Sequence, residues 1–244
     1  MNQPFNLLFD LDDTLIHCNK YFDMVIDQFA GLLMNWFSSY RIDKEDIKRK
    51  QTEIDLAGIH INGFTAERFP MSFVETYEYF ARKLGKTPDP DKQQLLLQLG
   101  YTVYDSEFEL YPNVVESLTA LREAGHTLSL FTGGETAIQK QKVEKVNLAP
   151  FFGDRIFVAQ HKNSNALDGV LRYTGYDRGR TWMIGNSLRT DILPAIECDI
   201  GAVYIPPLSN WAFDHPDLPV ENAERLIRLN SIHEVPRTFI HSHR

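Results

Sequence analysis

Asn6-Leu7-Leu8-Phe9-Asp10-Leu11-Asp12-Asp13-Thr14-Leu15 is the stretch that decides the fold, because an apolar run ends there directly on carboxylates. Short apolar runs such as residues 7–9 are typical of buried strands in parallel sheets, which bind ligands beyond the carboxyl ends of their strands. Side chains two positions apart in an extended segment point the same way, so Asp10 and Asp12 are predicted to face one site. Two carboxylates held that close repel each other and need a cation, a shared proton or both. The stretch therefore predicts a site of chemistry as well as a strand.

Two ordinary interpretations of this acidic segment compete with an active site. Acidic turns after strands often only cap a helix or form an Asx turn. A calcium-binding loop also uses Asp-x-Asp spacing, but it needs a preceding helix and a glycine at its sixth position, where this chain has Leu15. Calcium is therefore not expected, whereas the choice between a turn and an active site depends on the rest of the chain.

The composition is that of an ordinary soluble globular protein, with 43% hydrophobic and 24% charged residues in a chain of 244. This length allows one large domain or two smaller ones, each with its own core. The formal charge of −8 argues against non-specific nucleic-acid binding. No apolar run reaches membrane-spanning length and no basic-then-apolar leader precedes the first strand, so neither is expected. Cys18 and Cys198 are the only cysteines, which predicts a cytoplasmic protein without a disulfide framework.

The hydrophobic pattern divides the chain into two regions. Residues 21–108 predict helices only, at 21–37, 43–56, 72–84 and 91–108. After Tyr111-Pro112, helices are predicted at 113–124, 136–146, 164–173 and 190–197, and strands at 126–131, 155–158, 181–184 and 200–205. Alternation of this kind implies βαβ units on a parallel sheet, an α/β fold. The helical block lies between the first strand and the rest, which indicates an insertion.

Polar residues follow three further predicted strands. Thr132-Gly133 follows the second strand, and a hydroxyl with glycine-backed amides at a helix N-terminus suits a phosphate group. Lys162 follows the third strand, and the loop after the fourth contains Asn186 and Asp191. Singly, each has an ordinary explanation: a turn, a solvated lysine, or an acid that opens a helix. Together they all fall at carboxyl ends of parallel strands, which predicts one shared site.

These segments together resemble the haloacid dehalogenase-like hydrolase superfamily. Residues 9–15 resemble its first motif, Asp-x-Asp-x-Thr, and Thr132-Gly133 lies in the stretch that supplies its second motif. Lys162 stands where the lysine of the third motif is expected, and residues 185–191 resemble the fourth motif. The resemblance implies a Rossmann-like three-layer core formed by residues 1–16 and 109–244. It also implies an all-helical cap domain, residues 17–108, inserted after the first motif to select the substrate.

The resemblance implies a two-step reaction. Asp10 would attack phosphorus to form an aspartyl-phosphate, and Asp12 would first protonate the leaving alcohol and then deprotonate a water. Thr132, the amide of Gly133 and Lys162 would bind the phosphoryl oxygens. Mg²⁺ would be the cofactor, and its ligands would be Asp10, the backbone carbonyl of Asp12, Asn186 and Asp191. Thr14 is expected to orient the loop.

Two departures from the family pattern concern the third and fourth motifs. Lys162 is followed by Asn163, where many relatives have proline. Asn186 stands where the commonest form of the fourth motif has aspartate. An asparagine still offers a neutral carbonyl oxygen to Mg²⁺, so the metal is expected to persist with one less negative charge around it.

Asp12 favours phosphorus chemistry, because the dehalogenase branch of the family usually lacks this second acid. The prediction is a phosphatase acting on a small phosphomonoester, without nucleic-acid or membrane partners. A phosphomutase, a 2-haloacid dehalogenase and a non-catalytic phosphate-sensing protein stay open as alternatives. The cap segment 62–70 is interpreted as a loop that either contacts the substrate or only connects helices, the second being favoured. Residues 206–215 are interpreted as a loop packing on the core, and the sequence predicts no oligomeric state.

Overall fold

The structure, a computed structural model, describes residues 4–208 and 224–240. The chain divides into two compact units, one comprising Met1–Cys18 and Phe108–Arg244 and the other Asn19–Glu107. The first unit contains the sheet, and the second, interposed in sequence, contains helices. The predicted boundaries at 17 and 108, and the role of the helical unit as a cap, stay predictions.

The described residues form one six-stranded parallel sheet. Its strands are β1 Asn6–Phe9, β2 Thr127–Gly133, β3 Ile156–Ala159, β4 Thr181–Gly185, β5 Gly201–Tyr204 and β6 Leu226–Arg228. Their spatial order is β3-β2-β1-β4-β5-β6, so β1 lies inside the sheet with β2 on one side and β4 on the other. The strand ends that carry the predicted site residues are therefore neighbours at one edge. The predicted α/β class with a parallel sheet is confirmed.

The helices, in chain order, are α1 Asn19–Trp36, α2 Lys44–Asn62, α3 Arg68–Lys83, α4 Pro90–Tyr101, α5 Val114–Glu123, α6 Thr136–Lys145, α7 Ala149–Phe152, α8 Ser164–Thr174, α9 Leu193–Glu197 and α10 Val235–Ile240. Short 3₁₀ turns lie at Thr102–Asp105, Arg178–Arg180 and Ile232–Glu234, and one π-helical turn lies at Leu188–Ile192.

Both faces of the sheet are covered. Leu7, Leu8 and Phe9 are consecutive in β1 and all fully buried, although neighbouring strand residues point to opposite faces. Leu8 packs in a cluster with Leu167 of α8 and other apolar residues, whereas the ring of Phe9 lies against that of Phe152. A strand buried on both sides explains the continuous apolar run that the sequence shows. The result is the three-layer arrangement of helices, sheet and helices.

The helical unit has its own core. The rings of Phe29 in α1 and Phe73 in α3 stack with centroids 4.2 Å apart, within a larger apolar cluster. Asp43 and Asp89 cap α2 and α4, each accepting a hydrogen bond from a backbone amide of the first helical turn. The helices of this unit therefore bury their apolar faces against one another.

The segment 62–70 is more helical than predicted. Helix α2 continues through Gly58 to Asn62, and α3 already begins at Arg68, so only residues 63–67 connect the two helices. Helix α3 tolerates Pro70 because a proline in the first turn removes no intrahelical hydrogen bond. Position 58, inside α2, is a glycine because a Cβ there would come within 2.1 Å of Arg68 Cδ. The close approach of Arg68 thus explains why a glycine stands inside this helix.

Several other elements differ from the sequence prediction. The helix predicted at 91–108 ends at Tyr101 and gives way to a 3₁₀ turn, in which the Thr102 hydroxyl donates back to the Leu99 carbonyl. The helix predicted at 190–197 consists of the π-helical turn followed by α9. Strand β6 and helix α10 were not predicted, since segments this short carry little periodic signal.

Some sequence predictions lie outside the part of the chain that the structure describes. Of the loop predicted at 206–215, residues 206–208 are described and residues 209–215, with Trp211, are not. Within the described ranges, no helix combines the length and the apolar character needed to cross a bilayer.

Candidate active site

Asp10 lies immediately beyond β1, at the edge of the sheet where the strands end. Its backbone N–H donates to the carbonyl of Ile184 in β4 (2.9 Å), which continues the sheet ladder by one residue. The chain then turns sharply, since the N–H groups of Leu15 and Ile16 both donate to the carbonyl of Leu11. Asp13 takes a left-handed conformation in this turn (φ 57°), which aspartate tolerates better than most residues. The turn holds Asp10 and its neighbouring acids over the sheet edge.

Lys162 joins two of the predicted carboxylates. Its Nζ lies 2.5 Å from Asp10 Oδ1 and also donates to Asp191 Oδ1. All three side chains are buried. The preceding residue, His161, is exposed, and Asn163 caps α8 by accepting a hydrogen bond from the N–H of Ala166. The departure from proline at position 163 thus supplies a helix cap and leaves Lys162 in the site.

Asp191 is held by the backbone of its own loop. Its Oδ2 accepts a hydrogen bond from the N–H of Ser187 (2.9 Å), while Oδ1 accepts from Lys162. Gly185, the last residue of β4, makes room for this carboxylate, because a Cβ there would come within 2.2 Å of Asp191 Oδ2. The glycine and the aspartate of the 185–191 loop therefore depend on each other sterically.

The Asn186 side-chain amide faces Asp10, Asp12 and Thr14. One terminal atom of the amide lies 3.2 Å from Asp10 Oδ2, 3.1 Å from the Asp12 carbonyl oxygen and 2.9 Å from Thr14 Oγ1. With its oxygen in that position, the amide accepts from Thr14 and faces two further acceptors. With the amide turned over, its nitrogen donates towards the same oxygens. Thr14 also donates to Asp10 Oδ2 (3.2 Å), which is consistent with the orienting role expected for it.

The charges of this cluster alter the proton affinity of Asp10. Burial raises the pKa of Asp10 to about 7; Lys162 opposes the change, and the charges of Asp191 and Asp12 add to it. For Lys162, burial favours the neutral amine, but the two neighbouring carboxylates outweigh it and raise the pKa. Lys162 is therefore a permanent cation, whereas Asp10 titrates near neutrality in the metal-free protein.

The donor set around Asn186 fits a magnesium ion. In the first amide orientation the Asn186 oxygen lies 3.2 Å from Asp10 Oδ2 and 3.1 Å from the Asp12 carbonyl oxygen. Ligand oxygens that bind Mg²⁺ octahedrally at about 2.1 Å lie about 3 Å from their nearest neighbours in the shell. The two distances measured here match that spacing. Within the described residues, no three His, Cys, Asp or Glu side chains form a metal-binding cluster, so a metal would depend on this carbonyl and this amide.

Asp12 has a separate set of partners that the sequence analysis missed. Lys142 Nζ lies 2.8 Å and 3.0 Å from the two Asp12 carboxylate oxygens, and Gln139 Nε2 lies 3.0 Å from Oδ2. The same Gln139 nitrogen donates to Thr132 Oγ1 (2.7 Å). The only sequence signal was the three-residue spacing of Gln139 and Lys142, which places both on one face of α6. Because this helix is strongly charged, the pattern resembles that of a solvated surface.

Six of the seven predicted site residues belong to one network of contacts: Asp10, Asp12, Thr132, Lys162, Asn186 and Asp191. Gly133, the seventh, ends β2 directly after Thr132. A cavity of about 570 Å³ lies next to this strand end, lined by Gly134, Glu135, Thr136, Ala137, Val158 and Gln160. The individual chemical roles of the seven residues stay predictions.

The helical unit contains the other candidate residues, those of segment 62–70. Arg68 makes a bidentate ion pair with Glu75 (2.7 and 3.2 Å), and the ring of Phe69 lies against those of Phe22 and Phe73. Both side chains thus pack within the helical unit, as the connecting interpretation of this segment expects.

Comparisons with known proteins show the family of this chain. The family model for haloacid dehalogenase-like hydrolases matches residues 6–199. A glyceraldehyde 3-phosphate phosphatase of Methanothermobacter thermautotrophicus is 25% identical over 216 residues, covering 82% of this chain and 84% of the relative. A pyrimidine 5'-nucleotidase, PynA, of Streptococcus pneumoniae is 24% identical over 233 residues, covering 91% of this chain and 92% of the relative.

Solved structures give the same picture of the fold. A haloacid dehalogenase-like family hydrolase from Xanthomonas campestris superposes with a TM-score of 0.78 at 23% identity, covering 97% of this chain and 91% of that one. The matched region of the family model includes every predicted site residue. This chain belongs to the haloacid dehalogenase-like hydrolases.

Proposed function

We propose that this protein is a Mg²⁺-dependent phosphatase that hydrolyses a small phosphomonoester through an aspartyl-phosphate on Asp10. The observation that carries the proposal is the pair of carboxylates beyond β1, each held by its own buried lysine. Lys162 contacts Asp10, and Lys142 contacts Asp12. An acid pair with separate partners suits a nucleophile and an acid–base group that act in different protonation states.

In the first step, a carboxylate oxygen of Asp10 attacks phosphorus and the bond from phosphorus to the leaving oxygen breaks. Asp12 transfers its proton to that oxygen, so the product leaves as an alcohol. In the second step, water attacks the phosphorus of the aspartyl-phosphate and gives a proton to Asp12. Inorganic phosphate is released and the Asp10 carboxylate is restored. Two easier displacements thus replace one difficult direct displacement by water.

The phosphoryl oxygens need cationic and hydrogen-bonding partners as their charge redistributes. Lys162 supplies the cation, the Gly133 amide supplies one hydrogen bond, and the Thr132 hydroxyl supplies another. The Thr132 oxygen accepts a hydrogen bond from Gln139, which leaves the hydroxyl proton of Thr132 available for a phosphoryl oxygen. This support is geometric: β2 ends on Thr132 and Gly133 next to β1, the strand that precedes Asp10.

Mg²⁺ would be held by Asp10, the carbonyl of Asp12, Asn186 and Asp191. When bound, it neutralises charge on the substrate and favours the ionised form of Asp10. Asn186 suits the site with and without the metal. Its amide oxygen can bind a cation, and when no cation is bound its amide nitrogen can donate to Asp10 Oδ2 and to the Asp12 carbonyl.

The proposed substrate is a small phosphorylated metabolite. The two curated relatives are named for a triose phosphate and for pyrimidine nucleotides, which supports this class. Asp12 supports phosphorus over carbon as the centre attacked, since a halide leaving group needs no proton. The helical unit Asn19–Glu107 would act as the cap that selects the substrate. The proposed location is the cytoplasm, supported by two cysteines that are both free and buried.

The test is phosphate release from a panel of phosphomonoesters with Mg²⁺, with Asp10→Asn as the blank. The panel includes sugar phosphates, nucleoside monophosphates, phosphoglycolate and an aryl phosphate. Release that disappears in the variant supports the phosphatase, and the best substrate defines what the cap selects. If the folded wild-type protein releases no phosphate from any of them, the proposal is wrong. A mutase, a dehalogenase or a non-catalytic phosphate binder would then replace it.

A further inference from the structure

Lys142 is a buried cation whose charge is directed at one carboxylate. It lies on α6 with 5% of its side chain exposed, and its Nζ contacts both oxygens of Asp12. The same Nζ is 3.6 Å from the Cys18 sulfur and 4.9 Å from the centre of the Phe108 ring. These neighbours are an acid, a thiol and an aromatic face, so Asp12 is the group that compensates the buried ammonium.

The ammonium of Lys142 stays charged in this environment. Burial on its own would lower the pKa of Lys142, but the Asp12 carboxylate outweighs burial and raises the pKa above its ordinary value. A buried ion pair usually stabilises a fold no better than apolar side chains of the same volume. Anchoring α6 therefore does not require this lysine, whereas holding a carboxylate in one orientation does.

Gln139 extends the arrangement from Asp12 to the predicted phosphate cradle. Its side-chain nitrogen donates to Asp12 Oδ2 and to Thr132 Oγ1, which ties the two side chains together. Gly134 allows this contact, because a Cβ at that position would come within 3.1 Å of Gln139 Cγ. The three hydrogen bonds to Asp12 fix both the direction and the plane of its carboxylate.

We propose that Lys142 and Gln139 are positioning residues that orient the Asp12 carboxylate for proton transfer to the leaving oxygen. This inference rests on the proposed phosphatase function. It adds two side chains outside the four motifs that carry the family resemblance. Lys142 would act on catalysis through Asp12, and Gln139 through Asp12 and its second partner, Thr132. Misplacing a proton donor by a fraction of an ångström is enough to lower the rate of a step that depends on it.

The test compares two substrates that differ in their need for a proton. The leaving group of 4-nitrophenyl phosphate is a stable phenolate, whereas an alkyl phosphomonoester such as glycerol phosphate must be protonated as it leaves. We expect Lys142→Met and Gln139→Leu to lower kcat for the alkyl substrate by about 30-fold or more. For the aryl substrate we expect a change within about threefold, and KM should change little for either.

Controls separate positioning from folding. Lys140→Met removes an exposed lysine from the same helix and should leave both rates unchanged. Gln139→Leu keeps the ion pair of Lys142 with Asp12, so it carries the test if Lys142→Met does not fold. Thermal melts and circular dichroism establish which variants are folded.

The possible outcomes lead to different conclusions. A larger loss for the alkyl than for the aryl substrate supports the positioning role. Equal losses for both substrates, or no loss for either, would overturn it while leaving the phosphatase intact. A wild-type protein that hydrolyses neither substrate, nor any other member of the phosphomonoester panel, contradicts the proposed function itself, and this inference with it.

Discussion

Both units of this protein bury carboxylates beside cations, but the two clusters are satisfied to different degrees. In the sheet unit, Asp10 and Asp191 share Lys162, and every one of these side chains has a close charged partner. In the helical unit, Asp55 and Arg68 are only 16% and 11% exposed, yet Arg68 Nε lies 3.8 Å from Asp55 Oδ1. Neither of those two atoms has a hydrogen-bond partner among the described residues.

The comparison shows that the same electrostatic penalty can have different consequences. Burial raises the pKa of Asp10 to about 7 and that of Asp55 to about 6. At the carboxyl ends of the strands, the raised pKa belongs to Asp10, whose ionised form a bound cation would favour. In the helical unit, nothing described compensates the charge of Asp55 fully. A raised pKa therefore indicates a functional carboxylate only when the surrounding groups converge on an open site.

The largest expected effect that would separate the two carboxylates is on activity. Asp10→Asn should lower kcat by about 10⁴-fold, because no nucleophile remains to form the phosphoenzyme. Its melting temperature at pH 8 should not fall, since Lys162 keeps Asp191 as a partner and a costly buried charge is gone. Phosphate release and thermal melts on the same samples check both expectations, and a variant that retains activity would contradict the nucleophile.

Asn186→Asp sharpens the comparison by adding a carboxylate to the sheet-edge cluster. The half-saturating Mg²⁺ concentration should fall about tenfold, because a charged ligand replaces a neutral one. The metal-free variant should melt at a lower temperature than the wild type, since the new charge faces two oxygen acceptors. Calorimetric titration with Mg²⁺ and melts in EDTA measure the two effects, and Asn186→Gln is a neutral control. Unchanged metal affinity would exclude residue 186 as a ligand.

The activity should also depend on pH through Asp10. Its pKa is raised, so Asp10 is protonated below about pH 7 in the metal-free protein and ionised above it. Activity should therefore fall as the pH is lowered, and saturating Mg²⁺ should move this fall to lower pH by about one unit, because a bound cation favours the ionised form. Profiles of kcat/KM at limiting and saturating Mg²⁺ test this. An acidic limb at the same pH in both would be evidence against Asp10 as a metal ligand.

The smallest expected effect concerns Asp55, and it is on stability. Its pKa is raised from 3.8 to about 6, so the folded state holds this proton more tightly than the unfolded state does. The free energy of unfolding should thus fall between about pH 4 and pH 6 and stay lower above that range. Asp55→Asn should be more stable than the wild type by about 3 kcal/mol at pH 8, from about 1.4 kcal/mol per pKa unit, and equal to it near pH 4.

Denaturant unfolding at both pH values measures the Asp55 effect, with Asp46→Asn as a matched control on the exposed face of α2. A stability difference that is the same at pH 4 and pH 8 would show that the substitution acts through something other than the charge. Asp55→Asn should leave the chemical step unchanged, in contrast to Asp10→Asn.

The sheet-edge residues were predictable from the sequence because topology brings them together. Parallel strands end at one edge, so Asp10, Lys162 and Asp191 become neighbours although up to 181 positions separate them along the chain. Short-range patterns sufficed to find the ends of β1, β3 and β4. The residue types at those ends, carboxylates and a lysine, then indicated a shared site.

Lys142 and Asp55 were not predicted, for a physical reason they share. Each lies on a helix rich in charged residues, and such helices are usually solvated on most of their surface. Which of several charged positions is turned inwards depends on what packs against the helix. For Lys142 that partner is Asp12, 130 positions away, and for Asp55 it is Arg68 on the next helix. Local periodicity contains neither fact.

The two buried lysines at the sheet edge have a consequence for how ligands cooperate. When Asp10, Asp12 and Asp191 are all ionised, they carry one more charge than Lys142 and Lys162 neutralise, so this form of the site is anionic before a phosphate dianion arrives. Under the proposed function, substrate and Mg²⁺ should therefore bind with positive thermodynamic coupling, because each reduces the repulsion that the other meets. Reciprocity requires that the factor by which the cation tightens substrate binding equals the factor by which substrate tightens the cation.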